Sequence, residues 1–226
     1  MKDQNSTEST NRVERLHGVE NDEDLTKHIW IWRKMAGCDY VINDNNKEII
    51  TKLIIYFNGS PLAEDLGISL KKGIFLCGNF GAGKTEIFRI THKYLENIAN
   101  PNPNIYRNTS VEEILTTLRR GTDDSNLFTF NQIENTFGIK KSNPLNICIN
   151  EFAVNYDMKI YGTEASILME SFYMKRYEIF QNNRKLTHAT CNYDIETIQK
   201  SFPERIVDRF KEMFNILELK GGSFRK

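Results

Sequence analysis

The stretch Gly73-Ile-Phe-Leu-Cys-Gly78-Asn-Phe-Gly81-Ala-Gly83-Lys84-Thr85 decides the fold of this 226-residue chain. Its apolar first half predicts a short buried strand, and its second half matches the P-loop pattern G-x-x-x-x-G-K-S/T. The glycines of the loop let successive backbone N–H groups point into one concavity. The helix that begins near Gly83 adds its positive N-terminal end to that concavity. The sequence therefore predicts a site for a nucleoside triphosphate.

The motif assigns roles to individual side chains. Lys84 is expected to reach the β- and γ-phosphates, and the Thr85 hydroxyl to bind Mg²⁺, so ATP and Mg²⁺ are the predicted cofactors. The residues predicted to bind the nucleotide are Gly78, Asn79, Phe80, Gly81, Ala82, Gly83, Lys84, Thr85 and Glu86. A glycine-rich turn that matches by chance is the alternative. The helical spacing of apolar residues directly after the motif argues against that alternative.

Composition limits the classes of function. The 30 basic and 30 acidic residues balance, which argues against a general electrostatic footprint for nucleic acid but leaves room for a local basic strip. No apolar run is long enough for a transmembrane helix, and the N-terminus lacks a secretory signal pattern, so we expect no membrane contact and a cytoplasmic location. The cysteines include no C-x-x-C pair and are interpreted as reduced thiols.

Strand patterns alternate with helical patterns along the chain, which predicts an α/β sheet covered on both faces. Besides the P-loop strand, a strand is expected to start at 105–106, and others are expected at 145–151, 186–192 and 214–219. Helices are expected within 43–58, 110–119, 163–182 and 195–199, and after Pro203. Residues 131–137 are predicted to form one short helix.

An aromatic cluster, Ile29-Trp30-Ile31-Trp32, stands in a polar neighbourhood near the N-terminus. Two interpretations are open. The segment packs back on the core, or it anchors a partner, because tryptophan is favoured at interface hot spots.

Hydrolysis of a nucleotide needs a carboxylate for the Mg²⁺ shell and a group that positions the attacking water. The predicted strand ending Ile149-Asn150-Glu151 supplies Glu151 for the water. Asn150 stands where an aspartate would be expected, and its neutral amide brings no charge to the metal. We therefore expect weak Mg²⁺ binding through Asn150 and an ATPase activity that is weak or absent. The alternative for Glu151 is that it simply begins a loop.

Together these motifs resemble the AAA+ ATPases of the DnaC and IstB type, the helicase loaders and their transposition-helper relatives. The residues that carry the resemblance are 78–85, 147–151, 186–192, 204–214 and 222–225. The resemblance implies a parallel five-stranded sheet of order 5-1-4-3-2 with helices on both faces. It implies a AAA+ domain over 45–226, preceded by a polar extension over 1–44 that contains the tryptophan segment. The chain stops just after Arg225, so no C-terminal lid domain is expected.

The resemblance also implies site residues outside the P-loop. Asn192 resembles the sensor-1 residue, which contacts the γ-phosphate or the attacking water. Arg209 resembles the arginine finger that one subunit donates to its neighbour's nucleotide, and Arg205 is the nearby alternative. Arg225 resembles the sensor-2 arginine. For Arg205 and Arg209 the alternative is a solvated helix face.

The implied function is the loading of a replicative helicase onto single-stranded DNA by a ring or spiral of subunits. Candidate DNA contacts are two basic pairs with aromatic residues between them: Arg119, Arg120, Lys140, Lys141, Phe128, Phe130 and Phe137. Ordinary solvated charges are the alternative for the basic pairs. Two further functions stay open: an IstB-like transposition helper, and an ATP-gated adaptor without turnover, which Asn150 favours.

Overall fold

The strand that precedes the P-loop lies inside a parallel sheet. The computed structural model describes residues 19–38, 40–98, 102–119, 130–134, 140–152, 159–160 and 163–221. Its strands are β1 (Gly73–Gly78), β2 (Arg107–Ser110), β3 (Phe130–Glu134), β4 (Lys140–Pro144), β5 (Ile147–Asn150), β6 (Lys159–Ile160), β7 (Thr163–Glu164), β8 (Thr187–Cys191) and β9 (Phe214–Leu219). Its helices are α1 (Asp22–Ala36), α2 (Lys47–Phe57), α3 (Leu62–Asp65), α4 (Lys84–Ile98), α5 (Val111–Arg119), α6 (Ala165–Asn183), α7 (Ile195–Ser201) and α8 (Glu204–Met213).

The main sheet has five strands in the order β2-β5-β8-β1-β9, and every neighbouring pair is parallel. Numbered within this sheet alone, the order is 2-3-4-1-5, which confirms the predicted order read from the other edge. Cys77 of β1 pairs with Cys191 of β8 and with Glu218 of β9. The carboxyl ends of β5, β8 and β1 therefore meet at one edge, beside the P-loop.

Alternating side chains of β1 explain why helices cover both faces of the sheet. Ile74 and Leu76 belong to the hydrophobic cluster that α1, α2 and α4 complete. Phe75 and Cys77 belong to the cluster that α5, α6 and α8 complete. Since successive side chains of a strand point to opposite faces, an uninterrupted apolar strand needs apolar cover on both.

The aromatic cluster of the N-terminal region divides between core and surface. Asn21 caps α1 by accepting from the backbone N–H groups of Glu23 and Asp24, both at 3.0 Å. Trp32 is fully buried, and its Nε1 donates to Thr91 Oγ1 of α4 at 3.0 Å. Trp30 is 57% exposed, with Lys34 Nζ 3.5 Å from its ring centroid. Trp32 thus packs back on the core, whereas Trp30 is presented to solvent.

The short helix predicted for residues 131–137 is wrong where the structure describes that segment. Residues 130–134 form β3, which pairs antiparallel with β4, so that Ile133 lies opposite Lys141. Hydrogen bonding between two separate segments of the chain determines the structure here, rather than the local helical pattern. Among the described helices, none combines the length and the apolar character needed to span a membrane.

Replacing each tryptophan separately tests this division. Trp32→Ala is expected to lower the free energy of unfolding by about 3–5 kcal/mol, because it empties a core position and removes the bond to Thr91. Trp30→Ala is expected to change it by about 1 kcal/mol or less, because only an exposed cation–π contact is lost. Chemical denaturation followed by circular dichroism measures both values. Equal losses for the two variants would contradict the assigned positions.

Candidate nucleotide site

The P-loop joins β1 to α4 through a backbone that requires glycine. Gly78, Gly81 and Gly83 have φ values of 147°, 76° and 89°. A Cβ added to Gly78 would lie 2.4 Å from the carbonyl oxygen of Leu219 on β9. The strand–loop–helix arrangement is the structural context that a P-loop motif requires.

Lys84 is held at the loop by backbone groups. Its side chain is buried, and Nζ donates to the carbonyl oxygens of Gly78 at 2.8 Å and Asn79 at 2.7 Å. Burial lowers the pKa of Lys84 below its ordinary value. Two P-loop carbonyls, rather than a carboxylate, therefore fix this ammonium beside the cavity.

A cavity of 390 Å³ lies in front of the loop. The residues that line it are Phe80, Gly81, Gly83, Lys84, Thr85, Glu86, Glu151 and Asn192. The structure thus brings together P-loop residues with two polar residues that follow β5 and β8. Convergence of this kind is expected at the carboxyl ends of parallel strands, where ligands of such sheets bind.

Glu151 is positioned by a turn that sequence reasoning did not identify. It has a left-handed φ of 57°, and its backbone N–H donates to Thr190 Oγ1 at 3.2 Å. The next residue, Phe152, donates its N–H to the Thr190 carbonyl at 2.8 Å and is buried among aromatic rings. Thr190 therefore ties the end of β5 to β8, and the Glu151 side chain is left exposed at the cavity.

Asn150 occupies a different environment from Glu151. It is not among the cavity-lining residues, and its Oδ1 is buried with no hydrogen-bond partner in the described part of the chain. An unpaired buried acceptor is unfavourable by about 1–3 kcal/mol. The Asn150 side chain thus stands at the end of β5, outside the cavity lining, and its oxygen has no partner among the described residues.

The side chains present fit a Mg²⁺ ion that is bound mainly through nucleotide phosphates. Thr85 contributes an exposed hydroxyl, whereas the Glu86 carboxylate is held by Arg89, whose Nε donates at 2.7 Å. This bond to Arg89 lowers the pKa of Glu86. No group of three or more metal-ligating side chains occurs within the described ranges. Mg²⁺ commonly binds with few protein ligands, together with phosphate oxygens and water.

The candidate arginine fingers do not line this cavity. Arg205 is exposed and forms an ion pair with Glu170 of α6 at 2.6 Å. The Arg209 guanidinium lies 5.2 Å from the ring centroid of Tyr177, and its Nη1 donates to the Arg205 carbonyl at 2.8 Å. Arg225 lies outside the described residues. The roles given to these arginines remain predictions.

An exposed aromatic pair flanks the cavity. Phe80 is 60% exposed, and its ring meets that of Tyr193 edge to face, with 6.2 Å between centroids. Tyr193 was not among the predicted site residues. Its one sequence signal is that it directly follows Asn192.

Four of the seven candidate DNA-contacting residues belong to described elements. Arg119 ends α5, and Phe130 and the pair Lys140-Lys141 lie on the β3–β4 ribbon. Arg120, Phe128 and Phe137 lie outside the described residues.

Comparison with known proteins rests on structure. No family model matches the sequence, and no curated protein matches it. The solved structure of DnaI is similar with a TM-score of 0.54 and 14% identity, covering 85% of this chain and 93% of DnaI. The DnaC helicase loader has a TM-score of 0.53 and 15% identity, covering 84% of this chain and 99% of the loader. A proposed primosome component of Streptococcus pyogenes serotype M3 has a TM-score of 0.54 and 12% identity, covering 82% of this chain and 85% of that protein.

The chain has the fold of the DnaC-type AAA+ proteins. The likeness covers more than four fifths of this chain, and it confirms the P-loop fold predicted from the sequence. At identities of 12–15% this likeness shows the fold alone.

Asn150→Asp tests the environment of the amide. Without Mg²⁺ the variant is expected to lose about 1–3 kcal/mol of stability, because a charged group replaces a buried neutral one that already lacks a partner. With ATP and Mg²⁺ it is expected to gain more in unfolding midpoint than the wild type, since a cation bound in the neighbouring cavity stabilises a nearby carboxylate. Thermal denaturation in EDTA and in Mg²⁺–ATP measures the unfolding midpoint under both conditions, with Asn150→Ala as control. Equal behaviour of the two variants would contradict the prediction.

Proposed function

We propose that this chain is an ATP-binding AAA+ protein of DNA replication that loads a replicative helicase onto single-stranded DNA in the cytoplasm. The observation that carries the proposal is the 390 Å³ cavity, in which the P-loop meets Glu151 and Asn192 on a DnaC-type fold. The identity of the partner rests on the likeness to helicase loaders, and the nucleotide chemistry rests on the residues of the cavity.

The cavity offers a group for each part of a triphosphate. The glycine backbone presents N–H donors, Lys84 supplies a positive charge, and the exposed Thr85 hydroxyl is available to Mg²⁺. Bound ATP supplies a phosphoanhydride whose cleavage by water releases the γ-phosphate. Glu151 and Asn192 are the polar groups of the cavity wall that can accept from and orient that water.

Phosphate release from Mg²⁺–ATP, with and without single-stranded DNA, tests the proposed ATPase. We expect slow release that DNA stimulates, and release at background level for Lys84→Ala and Glu151→Gln. Lys27→Ala is the matched control, because Lys27 is an exposed lysine that pairs with Glu23 on α1. Release that is unchanged in Lys84→Ala would contradict an activity at this site.

A second candidate is an adaptor that binds ATP without turnover, and Asn150, a neutral amide where an aspartate is expected, favours it. In that case the wild type binds ATP tightly and releases no phosphate, while Asn150→Asp gains release. The same assay therefore separates the two candidates, since only the ATPase shows release in the wild type.

The surface around Trp30 is the proposed contact for the helicase. Trp30, Val41 and their basic neighbours Arg33 and Lys34 border a cavity of 550 Å³ on α1 and the following loop. Exposed tryptophan next to arginine is typical of interface hot spots. Trp30→Ala should weaken helicase binding in a pull-down while ATP binding stays unchanged. Changing Trp32 as well would be less informative, because Trp32 belongs to the core.

Self-association through Arg209 is testable by mixing two inactive variants. The Lys84→Ala variant retains the proposed arginine finger but lacks a working P-loop. The Arg209→Ala variant retains the P-loop but lacks the proposed arginine finger. If one subunit completes its neighbour's site, the mixture is expected to regain phosphate release that neither variant has alone. The corresponding experiment with Arg205→Ala shows which arginine acts. No recovery with either variant would contradict a shared site.

A further inference from the structure

A second cleft lies at the amino ends of the strands, at the opposite edge of the sheet from the P-loop. It encloses 590 Å³. The residues that line it are Leu70, Lys71, Pro103, Asn104, Asn146, Arg184, Lys185 and Leu186. Three of these described residues are basic and none is acidic. The volume is within the range of small-molecule sites.

A smaller cavity of 60 Å³ continues behind the cleft, and the two share Leu70, Asn104, Asn146 and Leu186. It is lined by His188, which is buried on β8. The Ile74 backbone N–H donates to His188 Nδ1 at 3.1 Å, so the neutral ring carries its proton on Nε2. This Nε2 is buried and has no hydrogen-bond partner in the described part of the chain. A residue that lines the inner cavity therefore carries a buried donor without an acceptor among the described residues.

A buried positive charge lies next to both cavities. Arg176 of α6 is fully buried, and its Nη2 donates to the Leu186 carbonyl at 3.0 Å and the Leu145 carbonyl at 3.1 Å. Its Nε donates to Thr187 Oγ1 at 3.0 Å, and its Nη1 has no partner among the described residues. Burial lowers the pKa of Arg176 to about 9. All of these acceptors are neutral, so the charge is hydrogen-bonded but not compensated by a carboxylate.

We propose that this cleft, here named the amino-edge cleft, binds a small phosphorylated anion. Lys71, Arg184 and Lys185 contact its phosphate oxygens at the mouth, and His188 Nε2 is the innermost donor, directly or through one water. A phosphate group fits because it offers several charged acceptor oxygens to several cations at once. Three basic residues and no acidic residue among the described lining make an anion a better match than a neutral ligand. The proposal does not depend on the function proposed for the P-loop.

The test uses pyrophosphate as the probe and the Lys84→Ala protein, so that the P-loop lysine does not contribute. Isothermal titration at constant ionic strength is expected to show one site. Combining Lys71→Gln, Arg184→Gln and Lys185→Gln is expected to weaken binding about tenfold or more, equal to about 1.4 kcal/mol. Lys27→Gln, Lys47→Gln and Lys52→Gln together form the matched control, because they remove the same net charge from α1 and α2. Equal weakening in both triple variants, or no binding at all, would overturn the proposal.

A second readout locates the ligand. The ¹⁵N resonance of His188 Nε2 is expected to shift when pyrophosphate binds to the Lys84→Ala protein and to stay unchanged in the cleft variant. Titration with a short single-stranded oligonucleotide then identifies the source of the phosphate. Displacement of pyrophosphate assigns the cleft to nucleic-acid phosphates, and no displacement assigns it to a free anion. If the ¹⁵N chemical shift of His188 Nε2 does not change when pyrophosphate is added, the part of the proposal that concerns His188 is overturned.

Discussion

The close approach of β1 to its two neighbours is the constraint on which the nucleotide cavity depends. A Cβ on Gly73 would lie 1.7 Å from the Thr187 carbonyl oxygen of β8, and one on Gly78 would lie 2.4 Å from that of Leu219 on β9. The strand is therefore enclosed by backbone at both ends, on opposite sides. The second contact fixes the point at which the P-loop leaves the sheet, and with it the start of α4. Because β9 comes last among the described strands, the loop is fully supported only when distant parts of the chain have come together.

Local patterns explain most of what the sequence could predict. The apolar run of β1, the P-loop and the helical periods of α2, α4 and α6 are local, and the structure confirms each element. The strand order came from the family resemblance, since periodicity does not give it. The β3–β4 pair was predicted wrongly because the partner of a strand is not visible in its own residues. Trp30 and Trp32 could not be separated before the helix was known, because residues two apart on a helix point in nearly opposite directions.

The residues of the candidate site could likewise be predicted only where the signal is local in the sequence. The cavity residues Lys84, Thr85 and Glu151 were predicted from motifs at strand ends, and Asn192 from the family resemblance. The structure places all four at the cavity. Thr190 was missed, because its contact with Glu151 joins residues 39 positions apart. The two ends of the sheet also differ in kind. The P-loop glycines shape the carboxyl end. At the amino end the close approach at Gly73 is joined by side-chain amides: Asn146 binds three backbone groups around β2 and β8, and Asn215 binds Ser69, Lys72 and Gly73.

The packing of α1 has a thermodynamic consequence. Trp32 and His28 of α1 are hydrogen-bonded to Thr91 and Tyr94 of α4, the helix that begins with the P-loop lysine. A binding event that displaces α1 must therefore also change the free energy of α4. By thermodynamic linkage, any ligand of α1 that favours one position of α4 alters the affinity of the P-loop for its ligand by a certain factor. The P-loop ligand alters the affinity at α1 by that same factor. The helix α1 is thus connected to the candidate nucleotide site through α4. Trp30 is a large apolar side chain of α1 that is exposed to solvent.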